Sequence, residues 1–284
     1  MNANAIEGIV VAVPSKGRLR DQCLSLLGAA GYPTGMLHGG GSMARLDGLS
    51  LIEMRPRDAA AALAAEQLDA AFIATDLAME HELEALPAVP LGFSRSDLVL
   101  ACRDDDPRDV EEFDGAVVAT HLPGITRRYF ADRGIGATIV EMGGSLEGVC
   151  ASGLADAIVD LRETGTSLAR NRLRVVAELR ACEALFVRRS ESTVLDDLAL
   201  RIQASLDARK HRYVMLHVPR SGLEALQELF PGLASPTVLP LAGREDLVAV
   251  HFVVTASELW ARLSDLRALG ATGIVALEPQ ALLP

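Results

Sequence analysis

The sequence predicts an α/β protein made of two lobes followed by a smaller C-terminal domain. Short β-branched or alanine-rich runs alternate with helical periodicity over most of the chain. That alternation restarts after an acidic, proline-containing turn at 103–107. Beyond Tyr213 the order changes to strand, helix, strand, strand, helix, strand.

The apolar run 8–13 predicts a first strand, and Pro14 and the loop Ser15-Lys16-Gly17-Arg18 end it. Leu19, Cys23, Leu24 and Leu27 then recur at helical spacing. After a glycine-rich stretch at 35–48 come a strand at 49–54, the loop Arg55-Pro56-Arg57-Asp58 and an alanine-rich helix at 59–66. A buried-type strand at 70–73 ends in Ala74-Thr75-Asp76, and 97–102 reads as another strand. The second lobe repeats this grammar, with strands at 116–120, 137–142 and 157–160 and helices at 125–133 and from Ser145. The lobes are therefore expected at 1–102, completed by about 190–211, and at 103–189. An amphipathic helix at 194–209, apolar at Leu195, Leu198, Ile202 and Leu206, serves as the connector. The last domain, 212–284, has strands at 213–218, 237–241, 247–254 and 273–277 and helices at 222–230 and 256–269. This βαββαβ order is the ferredoxin-like signature.

With 284 residues, half of them apolar, the chain has material for two or three cores. A net charge of -11 argues against a general nucleic-acid binder, which needs a basic face. An anionic ligand would have to meet a local cationic pocket. Arginine supplies nearly all the positive charge; the two lysines are Lys16 and Lys210. Cys23, Cys102, Cys150 and Cys182 show no close pairing and read as small buried hydrophobes of a reduced, cytoplasmic protein. The histidines, including His121, His217 and His251, lack metal-ligand spacing and read as packing or hydrogen-bonding locally. No basic leader and no apolar run of about 18 residues is visible, so neither export nor a membrane is expected.

The most informative stretch is Gly153-Leu154-Ala155-Asp156-Ala157-Ile158-Val159-Asp160, followed by Leu161-Arg162-Glu163-Thr164-Gly165-Thr166-Ser167-Leu168. A strand running into a small hydroxylated turn and then a helix suits a phosphate. Gly165 admits close backbone approach, Thr164 and Ser167 add hydroxyls, and Asp160 at the strand end can accept from ribose hydroxyls. The same turn also serves as a plain helix cap.

This string, with Asn171 after it, resembles the PRPP loop of the ATP phosphoribosyltransferases. Val13-Pro14-Ser15-Lys16-Gly17-Arg18-Leu19, Arg55-Pro56-Arg57-Asp58, Thr126-Arg127-Arg128-Tyr129-Phe130 and Gly144-Ser145-Leu146-Glu147 resemble further motifs of that family, in the family's order. Pro231-Gly232-Leu233, Ser235-Pro236-Thr237 and Leu269-Gly270-Ala271 resemble the regulatory domain of its long form.

The resemblance implies a catalytic unit folded like a type II periplasmic binding protein, which transfers phosphoribose from PRPP to N1 of ATP with Mg²⁺ as cofactor. It further implies feedback by histidine and a homo-oligomer between dimer and hexamer. Carried over, Asp160, Glu163, Thr164, Gly165, Thr166, Ser167, Lys16 and Arg18 hold PRPP. Asp160, Glu147 and Arg55 act in catalysis, while Arg55, Pro56, Arg57, Asp76 and Leu77 meet the nucleotide. Ser235, Thr237, Ala271 and Thr272 belong to the regulatory site, and no residue is assigned to a dedicated metal cage.

From position alone, Arg18, Arg55 and Arg57 also suit a solvated surface, Asp76 and Asp156 helix caps, and Glu147 a first helical turn. The chain departs from the family pattern at Ala74, Ser96, Asp97, Leu122 and Arg162. These changes cluster on the acceptor side, which leaves open a transferase for another heteroaromatic acceptor. A non-catalytic ligand-binding protein of the same fold is the remaining alternative.

Overall fold

The computed structural model describes residues 8–38, 42–46, 48–233 and 235–283. In chain order the first part runs β1 (Ile9–Pro14), α1 (Gly17–Ala29), α2 (Gly35–His38), β2 (Met43–Leu46), β3 (Leu49–Met54), α3 (Pro56–Ala64), β4 (Ala70–Ala74), α4 (Thr75–Glu80) and β5 (Ala88–Pro90). The second runs β6 (Ser96–Arg103), β7 (Val117–Thr120), α5 (Pro123–Ala131), β8 (Thr138–Glu141), α6 (Leu146–Ala151), β9 (Ala157–Arg162), α7 (Thr166–Arg170) and β10 (Leu173–Cys182). Then come β11 (Ala184–Arg188) and α8 (Thr193–Lys210). The last part is β12 (His211–Pro219), α9 (Leu223–Leu229), β13 (Thr237–Leu241), β14 (Arg244–Thr255), α10 (Ala256–Ala261), α11 (Leu263–Ala268) and β15 (Thr272–Leu277).

The first sheet has the order β2-β3-β1-β4-β11-β5, with β1 parallel to β3 and β4. Val11, Ala12, Val13, Ala70, Ala71 and Ile73 are fully buried, as expected of parallel strands covered on both faces. The second sheet has the order β10-β6-β9-β7-β8, with β7 parallel to β8 and β9 and β6 antiparallel to β9. Each lobe carries an antiparallel strand, β11 or β6, beside its parallel core. One apolar cluster, including Ala12, Leu63, Ile73, Leu98, Val118, Leu122 and Val159, runs through both.

The lobe boundary differs from the sequence reading. The strand expected to close lobe I, β6, belongs to the second sheet, so the chain crosses before Ser96, and Glu183 lies at the return between β10 and β11. The acidic turn at 103–107 is the far end of β6, where Asp104 N–H donates to the Arg172 carbonyl at 2.9 Å. Turn residues mark where a strand ends and carry no information about which sheet it joined. Strands β10 and β11 have no counterpart in the sequence reading. Register shifts between Val175 and Ala177 and between Glu178 and Arg180 blur the alternation of β10.

The chain divides into two units, one of residues 1–25 and 34–196 and another of 26–33 and 197–284. In the second unit the sheet order is β13-β14-β12-β15, antiparallel throughout, which is the ferredoxin-like arrangement expected. Val214, Leu216, Val218, Val250 and Phe252 pack on Leu226, Leu259 and Leu266 of its helices. The helix expected over 256–269 breaks at Arg262 into α10 and α11. Thr255 caps α10 in a reciprocal box with Glu258.

Candidate active site

Along β9 the chain rises from buried Val159 to the partly exposed Asp160, and past the strand end at Arg162 it turns through Glu163 and Thr164 to Gly165. Gly165 has φ of 76° and occupies the position before α7, where a Cβ would be strained. The Thr164 and Thr166 hydroxyls lie 3.0 Å apart, and the Ser167 hydroxyl donates to Glu147 at the start of α6. From the other lobe, the Arg18 guanidinium stands 2.8 Å from the Glu163 carboxylate. The structure therefore gathers Arg18, Glu147, Glu163, Thr164, Thr166 and Ser167 at one cleft edge. Lys16 and Arg55 are exposed and enter no ion pair among the described residues. Pro56 opens α3 directly after Arg55, where its missing N–H costs nothing.

Two cleft carboxylates share an environment. Burial pushes the Asp160 carboxyl above its ordinary range, against the Leu161 N–H that it accepts at 2.8 Å, and the nearby Glu147 adds to the rise. Asp76, on α4 of the other lobe, is only 3% exposed, and its Oδ1 has no partner among the described residues. Burial pushes its carboxyl up as well, opposed first by His121. His121 follows β7, and its Nδ1 lies 3.4 Å from Asp160 Oδ1. The reading of His121 as packing or hydrogen-bonding locally did not place it at Asp160, 39 positions along the chain. Its position just past the C-terminal end of a parallel strand was the available signal, because ligands of open α/β sheets gather at that end.

Arg57 reaches from α3 to donate to the His121 carbonyl at 2.8 Å and to pair with Glu141 at 2.7 Å. Beside it, Glu80 accepts from the Gly124 and Ile125 N–H groups at 2.8 Å each, capping α5 from the opposite lobe. Leu77, next to Asp76, is buried in the apolar cluster that joins the lobes. The four cysteines are buried, and burial pushes the Cys23 and Cys182 thiols up to about 12, far from the thiolate a nucleophile needs. Among the described residues no three His, Cys, Asp or Glu side chains gather as a metal cage.

The departures from the family pattern gain a physical reading. Asp97 and Arg162 are register partners on β6 and β9, joined at 2.7 Å, and Arg162 also meets Glu178 at 2.5 Å. They form one cross-strand ion pair, and both also line the cavity beside the Gly165 turn with Glu163 and Thr164. Leu122 is fully buried in the core. Ser96 and Asp97 both line a cavity of about 270 Å³, with Arg95, Glu163 and Glu183. In the C-terminal domain, Ser235 and Thr237 lie at the β13 edge while Ala271 and Thr272 lie at the β15 edge. Three strand spacings, about 14 Å, separate the two pairs within one copy.

The sequence model described as "HisG: ATP phosphoribosyltransferase" matches residues 55–207, and that for "HisG, C-terminal domain" matches 208–279. The ATP phosphoribosyltransferase of Methanopyrus kandleri is 37% identical over 282 residues, covering 97% of this chain and 100% of that protein. That of Gemmatimonas aurantiaca is 34% identical, covering 96% and 99%. Among solved structures, the ATP phosphoribosyl transferase (HisG:HisZ) complex from Thermotoga maritima aligns with a TM-score of 0.58 and 25% identity, covering 69% of this chain and 96% of that one. The match of both sequence models in order, with relatives alike over nearly their whole length, means that the chain belongs to the ATP phosphoribosyltransferase family of PRPP-dependent transferases.

Proposed function

We propose that this chain joins N1 of ATP to the anomeric carbon of PRPP, breaking the bond to pyrophosphate, and that histidine restrains it through residues 212–284. The observation that carries the reading is the convergence of distant motifs on the Gly165 turn, with Arg18 of one lobe beside Glu163 of the other. Thr164, Gly165, Thr166 and Ser167 take the 5′-phosphate with hydroxyl and backbone donors. Asp160 orients the ribose hydroxyls and, with Glu147, stabilises positive charge as the anomeric carbon becomes oxocarbenium-like. Lys16, Arg18 and Arg55 neutralise the departing pyrophosphate, and Arg55, Pro56, Arg57 and Asp76 orient the triphosphate and base. Leu77, next to Asp76, is assigned to the nucleotide with it. No covalent intermediate is needed.

Mg²⁺ would be held chiefly by the phosphates of the anionic substrates and would offset their charge, and no residue of the chain is assigned to it. A regulatory site that used Ser235 and Thr237 together with Ala271 and Thr272 would draw on neighbouring copies, because these pairs lie on opposite sheet edges. Regulation and a homo-oligomer between dimer and hexamer are therefore proposed together. No helix among the described residues is long and apolar enough to cross a membrane, and a cytoplasmic setting suits the reduced cysteines.

Pyrophosphate release from PRPP and Mg²⁺, followed with ATP as acceptor and with pyrophosphatase present, tests the reading. Release that requires ATP, yields phosphoribosyl-ATP and falls on adding histidine is expected. PRPP binding without release would transfer the reading to another heteroaromatic acceptor, and release indifferent to histidine would remove the regulatory part.

A further inference from the structure

His121 lies outside the motifs that carry the family resemblance, yet it stands where the two lobes bring buried acids together. Its ring sits 3.4 Å from Asp160, long for a hydrogen bond and within ion-pair range. Its carbonyl is held by Arg57 from the opposite lobe at 2.8 Å, which fixes the segment that carries the ring. Around this ring and its carboxylate partners the charged groups are Asp160 of β9, Glu147 of α6, Asp76 and Glu80 of α4, and Arg57 of α3 with its partner Glu141 of β8. Acids outnumber bases there. Neighbouring carboxylates in a site shielded from water repel one another, and a side chain able to carry positive charge offsets that repulsion where it meets one of them.

Resting on the reading of Asp160 as the ribose contact, we propose that His121 is the positioning residue of this site, holding the Asp160 carboxylate in place and balancing it against Asp76 of the opposite lobe. It makes and breaks no bond to substrate. Its burden is the geometry and ionisation of Asp160 while the anomeric carbon reacts. Because His121 acts to lower the Asp160 carboxyl against the effect of burial, its removal lets that carboxyl rise further.

The experiment compares steady-state kinetics and pH profiles of pyrophosphate release for His121→Ala, His121→Gln and His121→Lys, with Asp160→Asn alongside and thermal melts to confirm folding. His121→Ala should lower kcat on the order of 10- to 100-fold, the scale of a misplaced catalytic group, with a much smaller change in KM for PRPP. Its acid limb of kcat/KM should move to higher pH. His121→Lys should restore that limb, whereas His121→Gln should not. If His121→Ala keeps the wild-type kcat and acid limb, or if His121→Gln matches wild type, the proposal is overturned. Wild-type kinetics in Asp160→Asn would instead sink the site reading beneath it, so the two failures are distinguishable.

Discussion

Asp156, just before β9, and Asp160, near its other end, carry the same side chain four positions apart. Asp156 accepts from the Val117 N–H at 2.9 Å and from Arg108 at 3.1 Å. The Val117 N–H, reinforced by Arg108, holds its carboxyl below the usual range. Asp160, with one backbone donor and His121 at a distance, is pushed above that range by burial. Arg108 also binds Asp106 bidentately, so Asp156 belongs to a satisfied network far from the Gly165 turn. A carboxylate whose oxygens are taken up by the protein stabilises the fold. One left short of partners at a cleft has its lone pairs available to a ligand.

The largest effect expected from breaking this contrast is on turnover. Asp160→Asn should lower kcat for pyrophosphate release at least ~10-fold, the loss of a charge-assisted contact of ~1.4 kcal/mol or more. Its stability should move the other way. A carboxyl raised in the folded state favours folding below its unfolded range and loses that contribution as pH rises through the folded value. At neutral pH the ionised Asp160 is therefore a cost, and Asp160→Asn should melt at the wild-type temperature or above it.

Asp156→Asn should do the reverse, lowering the urea midpoint by an amount corresponding to about 1–3 kcal/mol while leaving turnover of the folded enzyme near wild type. Since the folded Asp156 carboxyl is lowered, its contribution is present above the unfolded range and fades as pH falls through the folded value. Acidification from neutral should therefore destabilise wild type more steeply than Asp156→Asn. The smallest effect is expected from a double-mutant cycle on Asp97 and Arg162, with a coupling of ~0.5–1 kcal/mol, because both side chains retain water contact. Coupling near zero in that cycle, with a changed acceptor preference in the single variants, would return these two positions to the acceptor site.

What the sequence could show followed from how local its signals are. The parallel strands β1, β4, β7 and β9 were legible because burial on both faces demands unbroken apolar runs. The C-terminal order was legible because its alternation is clean, as along Val248, Val250, Phe252 and Val254, each buried beside a more exposed neighbour. The Gly165 turn announced itself by composition. Partnership was not legible. Arg108 reaches Asp156 across 48 positions and Arg162 reaches Asp97 across 65, the first by the fold of two loops and the second by strand register. For the same reason Asp156 and Asp160 read as one motif, and His121 read as packing or hydrogen-bonding locally, with no sign of Asp160 as its partner. Bulges hid β10, and an acidic turn has the same composition at a strand end as at a lobe boundary.

The central claim is that the cleft end of β9 holds PRPP while its other end holds the fold. Its most direct test is pyrophosphate release from PRPP and ATP by Asp160→Asn and Asp156→Asn side by side, at a temperature where both are folded. The account predicts turnover at least ~10-fold lower in Asp160→Asn than in Asp156→Asn. Equal turnover in the two variants, or a loss confined to Asp156→Asn, would contradict it.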